Sequence, residues 1–121
     1  MKKLILLLAL ILPVGSQAYF FSGNLLSENC SDTQDNPYKV GNCTGYILAV
    51  ADFMERDYNR RFGTNCLPSG IGSKQMEKVV VKYLDDNPAK LHLPAIFLIT
   101  NALIEGFGCD ESEAYNLDPT E

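Results

Sequence analysis

Four cysteines in a chain that opens with a secretory signal constrain this fold more than any other feature of its 121 residues. Met1-Lys2-Lys3 is a short basic start, Leu4 to Leu12 is an unbroken apolar run, and Pro13 and Gly15 break that run ahead of the small residues Ser16 and Ala18. This is the pattern of a signal peptide, residues 1–18, cleaved after Ala18. The apolar run is shorter than the roughly 20 residues a membrane span needs, and no cysteine stands at the cleavage site to take a lipid. The mature chain is therefore expected outside the cytoplasm, with no membrane anchor after cleavage. In such a compartment an even set of cysteines in a small domain reads as disulfides. The spacings between Cys30, Cys43, Cys66 and Cys109 contain no C-x-x-C, so they suit neither a redox enzyme nor a zinc site.

Helical period runs through the rest of the chain. Between Cys43 and Phe62 the residues Tyr46, Ile47, Val50, Phe53, Met54 and Tyr58 recur at steps of three and four, one apolar stripe of an amphipathic helix. On its opposite face Asp52 precedes Arg56, and Asp57 precedes Arg61, by four residues, the orientation that supports a helix. Gly63, Pro68, Gly70 and Gly72 then force a turn. Ser73 is the expected N-cap of a further helix with Met76, Val79, Val80, Tyr83 and Leu84 inward. Val79-Val80-Val81 has strand propensity, yet Lys74, Lys78 and Lys82 line the other face at four-residue steps, and that period decides for helix. Asp85-Asp86-Asn87-Pro88 ends it, because a residue before proline is pushed out of the α region.

From Pro94 to Phe107 the sequence is apolar nearly all the way round, as befits a helix in the middle of a bundle, with Gly106 and Gly108 marking its end. Ser22 to Cys30 is a shorter amphipathic piece with Leu25 and Leu26 inward. The expectation is an all-α, four-helix bundle-like domain over residues 19–109, stapled by two disulfides. Residues 110–121 carry five acids and no base, a solvated acidic tail.

Helix length restricts the pairing of the cysteines. A helix from Cys43 to Phe62 is about 28 Å long, and the four residues from Phe62 to Cys66 return at most about 14 Å. Cys43 and Cys66 therefore cannot come within the roughly 7 Å between Cα atoms that a disulfide requires. Two connectivities survive. An up-down bundle favours Cys30 with Cys43 and Cys66 with Cys109; Cys30 with Cys66 and Cys43 with Cys109 would require a crossover.

Composition excludes several functions. Ten Lys and Arg against fifteen Asp and Glu give a formal charge of -5, made more negative by loss of Lys2 and Lys3, and this removes the footprint of nucleic-acid binding. A single histidine, His92, in a proline-flanked turn, leaves no credible Ser-His-Asp or Cys-His arrangement and no His-rich metal site. Gly41 and Gly45 frame Cys43 without phosphate-loop spacing. No enzyme, metal or cofactor is expected, and the residues by themselves lead to a binding or inhibitory protein.

Ser22-Gly23-Asn24-Leu25-Leu26 with Cys30, Cys43-Thr44-Gly45-Tyr46-Ile47 with Asp52, Cys66-Leu67-Pro68, Gln75 with Val79-Val80-Val81-Lys82-Tyr83-Leu84, Asn87-Pro88, His92-Leu93-Pro94-Ala95, and Ala102-Leu103 with Phe107 and Cys109 follow one ordered pattern. Over residues 22 to 109 it resembles the Rap/Tai family of type VI secretion amidase-immunity proteins. The resemblance implies a periplasmic, all-helical homodimer that binds a peptidoglycan amidase effector and occludes its Cys-His active-site groove. In that family a protruding loop between late helices enters the groove. By position the matching segment is Asp85 to Leu93, with Asp85, Asp86, Asn87, Lys90 and His92 as the expected contacts. A periplasmic stress chaperone, or holdase, is the alternative for a small stapled helical protein; its carboxylates would neutralise in acid and expose the apolar stripes.

Overall fold

The computed structural model describes residues 20–31 and 35–109. The signal peptide expected at 1–18 and the acidic tail expected at 110–121 lie outside the described residues. Four helices carry the chain: α1 (Gly23–Ser31), α2 (Pro37–Phe62), α3 (Ser73–Asp86) and α4 (Ala95–Phe107), with a single 3₁₀ turn (Pro88–Lys90) between the last two. Among the described residues there is no sheet; one isolated antiparallel bridge joins Ser22 and Pro94. Every pair of helices is in contact. No helix among the described residues is long and apolar enough to cross a membrane.

The helix ends follow local chemistry, with three corrections. α2 begins at Pro37, six residues before Cys43. Asn36 caps it, accepting from the backbone N–H of Tyr38 (3.1 Å) and Lys39 (3.3 Å), and Pro37 suits the first turn because its missing N–H has no partner there anyway. The apolar stripe starts later than the cap, so periodicity alone placed the start too far along. α3 is capped by Gly72, with no side-chain cap bond, and Ser73 is its first helical residue. The ends of α2 and α4 are glycines in the left-handed region, Gly63 (φ 67°) and Gly108 (φ 66°), donating back to Asn59 and Ile104 respectively. Gly106 lies inside α4. A Cβ there would run into the Val79 side chain, so this glycine lets α4 seat closely on α3.

Leu26, Ile47, Met54, Val80, Leu84, Leu98, Ile99 and Leu103 form the centre of the core, and all four helices contribute. Each such side chain contributes about 1.5–3 kcal/mol by leaving water. α4 is the innermost helix: Ala95, Leu98, Ile99, Thr100, Ala102, Leu103 and Ile104 are all buried. Two residues of the expected stripes face outward. Phe53 is 65% exposed and Leu25 38% exposed, because each sits at the margin of its stripe, where the neighbouring helices do not reach.

The disulfides are Cys30–Cys43 and Cys66–Cys109, with Cα separations of 5.0 and 5.1 Å. This is the pairing an up-down bundle favours. The first ties α1 to α2; the second ties the loop after α2 to the end of α4. Two carboxylates not singled out by the pattern hold the same elements. Glu77, buried on α3, accepts from Thr44 Oγ1 of α2 (3.0 Å) and from Lys74 Nζ (3.1 Å). Glu55 Oε2 accepts from the Leu67 N–H (3.0 Å), holding the Cys66 loop against α2, while its Oε1 is buried without a hydrogen-bond partner.

Candidate functional site

The segment Asp85–Leu93 leaves α3, makes one 3₁₀ turn and enters α4. Its conformation is set first by local bonds. Asn87 leaves the helical region (φ -125°, ψ 55°), as the following proline demands, and its side-chain amide donates to the Tyr83 carbonyl at 2.8 Å. The N–H of Lys90 donates to Asn87 O (3.0 Å) and that of Leu93 to Lys90 O (2.9 Å). The loop is thus a run of tight turns with its own backbone partners.

It is also pinned to a segment some seventy residues earlier in the chain. The N–H of Gly23 donates to Leu93 O (2.9 Å), that of Asn24 to Leu91 O (2.7 Å), and that of Ala95 to Phe21 O (2.9 Å). The first N–H groups of a helix have no partners within it, and here Gly23 and Asn24 use theirs to grip the loop. Gly23 must be small to do so: a Cβ at that position would meet the Leu98 side chain and stand 2.8 Å from Leu91 O. Ser22 Oγ accepts from the Leu25 N–H (3.2 Å) and fixes the start of α1. None of this brace was foreseen as part of the site. Its one sequence signal is a glycine in the first turn of a short helix, where glycine is a poor helix former.

The five expected contact residues divide by role. Leu91 and Leu93 are half-buried against the core, while Asp85, Asp86, Lys90 and His92 are exposed. Asn87 is half-buried and acts as the cap just described. Asp86 pairs with Lys82 at 2.6 Å, one helical turn back on α3. The hydrogen bond that Lys82 donates to Asp86, then the Asp86 charge, push the Lys82 pKa above the ordinary lysine value. Asp86 is thereby partly neutralised within α3. Lys90 Nζ sits 5.8 Å from the centroid of the Tyr83 ring, within cation–π range. The loop thus offers Asp85, Lys90 and His92 outward on a rigid support.

Asp85 and Asp86 also line an open depression of about 400 Å³ with Lys78, Lys82, Val81 and Glu77, floored by Cys30. It lies on the α3 side of the loop. Among the described residues, no group of three His, Cys, Asp or Glu side chains is placed to hold a metal ion. The geometry is that of a braced loop beside a charged, shallow hollow.

The family model described as Rap1a immunity proteins matches residues 22–109. No curated protein and no solved structure matches the chain.

Proposed function

Because the chain belongs to the Rap1a immunity protein family, we propose that it protects the periplasm by binding a peptidoglycan amidase delivered by type VI secretion and occluding that enzyme's active-site groove. Membership implies a cognate effector. A guardian of peptidoglycan has to work where peptidoglycan is, outside the inner membrane, and the sequence pattern of residues 1–18 and the two disulfides both suit that compartment. The protein works as a homodimer and as a stoichiometric binder, performing no reaction itself.

The observation that carries the mechanism is the backbone pinning of the loop by Phe21, Gly23 and Asn24. A loop already held in one conformation loses little freedom when it enters a groove, so more of the contact energy appears as affinity. Asp85 supplies negative charge toward a positive cleft rim, with Asp86 in a lesser part because Lys82 shares it. Lys90 and His92 supply further contacts. No feature among the described residues favours the holdase alternative.

The test is to mix the mature, oxidised protein with candidate type VI peptidoglycan amidases, any encoded beside its own gene first, then follow co-elution and peptidoglycan hydrolysis. Hydrolysis should fall to background at equimolar protein. Alanine replacement of Asp85, Lys90 and His92 together, leaving the Asn87 cap in place, should abolish inhibition with helicity intact. Undiminished inhibition by that variant would remove the loop from the mechanism, and absence of any complex would overturn the amidase assignment.

A further inference from the structure

Phe20 is 98% exposed and Ile96 36% exposed, and the two residues flank one hydrogen bond, from the Ala95 N–H to Phe21 O at 2.9 Å. The backbone that carries them is fixed on both sides. Phe21 is stacked on Tyr46 with ring centroids 4.5 Å apart, Ser22 is bridged to Pro94, and Ala95 is buried at the start of α4. Leu25, 38% exposed, follows Asn24, whose N–H holds Leu91 O at 2.7 Å. Large apolar side chains thus stand in water at the very bonds that brace the candidate loop. Apolar residues scattered singly over a surface need no explanation, but a group held out on fixed backbone marks a contact surface.

We propose that Phe20, Ile96 and Leu25 form an apolar shoulder at the base of the loop, and that the effector covers it with an apolar rim beside its groove. The occupant follows from the placement. Leu91, Leu93 and Ala95 are bonded to Asn24, Gly23 and Phe21, so loop and shoulder move as one piece. A loop that enters a groove brings whatever is fixed to its base against the rim of that groove. A second copy of this chain seated on the shoulder would stand between the loop and the enzyme. The two parts divide the work: the exposed polar groups of Asp85, Lys90 and His92 orient the partner, and the shoulder supplies area from which water is expelled. Phe20 leads, because nearly all of its surface is available and aromatic side chains are enriched at such contacts.

The inference deepens the effector-binding reading and rests on it. The probe is the amidase that co-elutes with the mature, oxidised protein. Phe20→Ser removes a side chain that nothing of this chain covers, so Tm of the free protein should not change, while calorimetric affinity for the amidase should fall at least tenfold, about 1.4 kcal/mol. Phe20→Leu should restore most of that loss. The chain contains no tryptophan, so Phe20→Trp made with fluorotryptophan carries a single fluorine resonance. A soluble paramagnetic agent should reach it in the free protein and not in the complex. Undiminished affinity of Phe20→Ser, or a fluorine equally accessible in the complex, overturns the shoulder and leaves the loop reading standing. A Phe20→Ser variant that changes the sedimentation of the free protein but not its affinity assigns the residues to self-association and overturns the proposal as well. If the parent protein forms no complex with any amidase, the effector reading itself fails and the shoulder loses its occupant with it.

Discussion

Replacing Gly23 by alanine should loosen the candidate loop from α1 and lower the stability of the whole domain. The added methyl group would stand 2.8 Å from Leu91 O and 3.0 Å from Leu91 Cα, well inside the roughly 3.5 Å at which such atoms rest. The Leu98 side chain can rotate away; the Leu91 backbone can move only by carrying the loop with it. That movement stretches the bonds from Gly23 N–H to Leu93 O and from Asn24 N–H to Leu91 O, now 2.9 and 2.7 Å. Losing both costs about 1–3 kcal/mol, in the same range as overpacking by one methyl in a tight contact, about 1–3 kcal/mol. These are two views of one displacement and do not add. From the middle of that range, about 2 kcal/mol, the better helix propensity of alanine offsets up to about 1 kcal/mol, leaving a net loss of about 1–2 kcal/mol. Tm should fall by roughly 4–15 °C in a domain of this size, and the urea midpoint should fall in step. Gly45→Ala is the control: with nothing within 4 Å, it should gain up to about 1 kcal/mol in dilute protein. If Gly23→Ala is as stable as the parent, with the Asn24 amide equally protected from hydrogen exchange, the loop is not held in the way described.

Three further outcomes follow from the same contacts. Asn87→Ala removes the bond to Tyr83 O and should cost about 1 kcal/mol in urea denaturation. Under rising dithiothreitol, Cys66–Cys109, which is half-buried, should open before Cys30–Cys43, whose cysteines are 6% and 0% exposed; alkylation and mass spectrometry of the peptides would show the order. Tyr46 stacks on Phe21 with ring centroids 4.5 Å apart, and burial pushes its phenol above the ordinary value. The fold therefore holds the neutral form: its stabilisation is complete below the ordinary tyrosine pKa of about 10 and declines as pH rises through the folded value. Lys82, raised by Asp86, acts in the same direction. Denaturation of Tyr46→Phe between about pH 9 and 11 should show a shallower alkaline decline than the parent.

Much of the fold was legible in particular residues. Ile47, Val50, Met54 and Tyr58 declared the inner face of α2, and all four are buried. The Lys74, Lys78 and Lys82 series correctly outweighed the strand propensity of Val79-Val80-Val81, because a strand would put these lysines on one face with Met76, Val80 and Leu84, whereas a helix separates the charged from the apolar set. The start of α2 at Asn36–Pro37 carried a readable cap that the apolar stripe overshadowed. Phe53 and Leu25 belonged to the stripes by spacing yet lie outside the contacts, since spacing gives the direction of a side chain and not how far a neighbour extends. In the candidate loop, Asn87 proved to be a helix cap and Asp86 an ion-pair partner of Lys82.

The sequence by itself determined the helices, their inner faces and the exclusion of Cys43–Cys66, because period, capping and chain length act within a few turns of the chain and leave their mark in residue type. Only the tertiary structure decided that Phe21, Gly23 and Asn24 brace a loop near residue 91, and that Glu77 is buried between α2 and α3. Those contacts run largely through backbone N–H and C=O groups that every residue carries. Which of them meet depends on how the helices cross, and no local pattern encodes that.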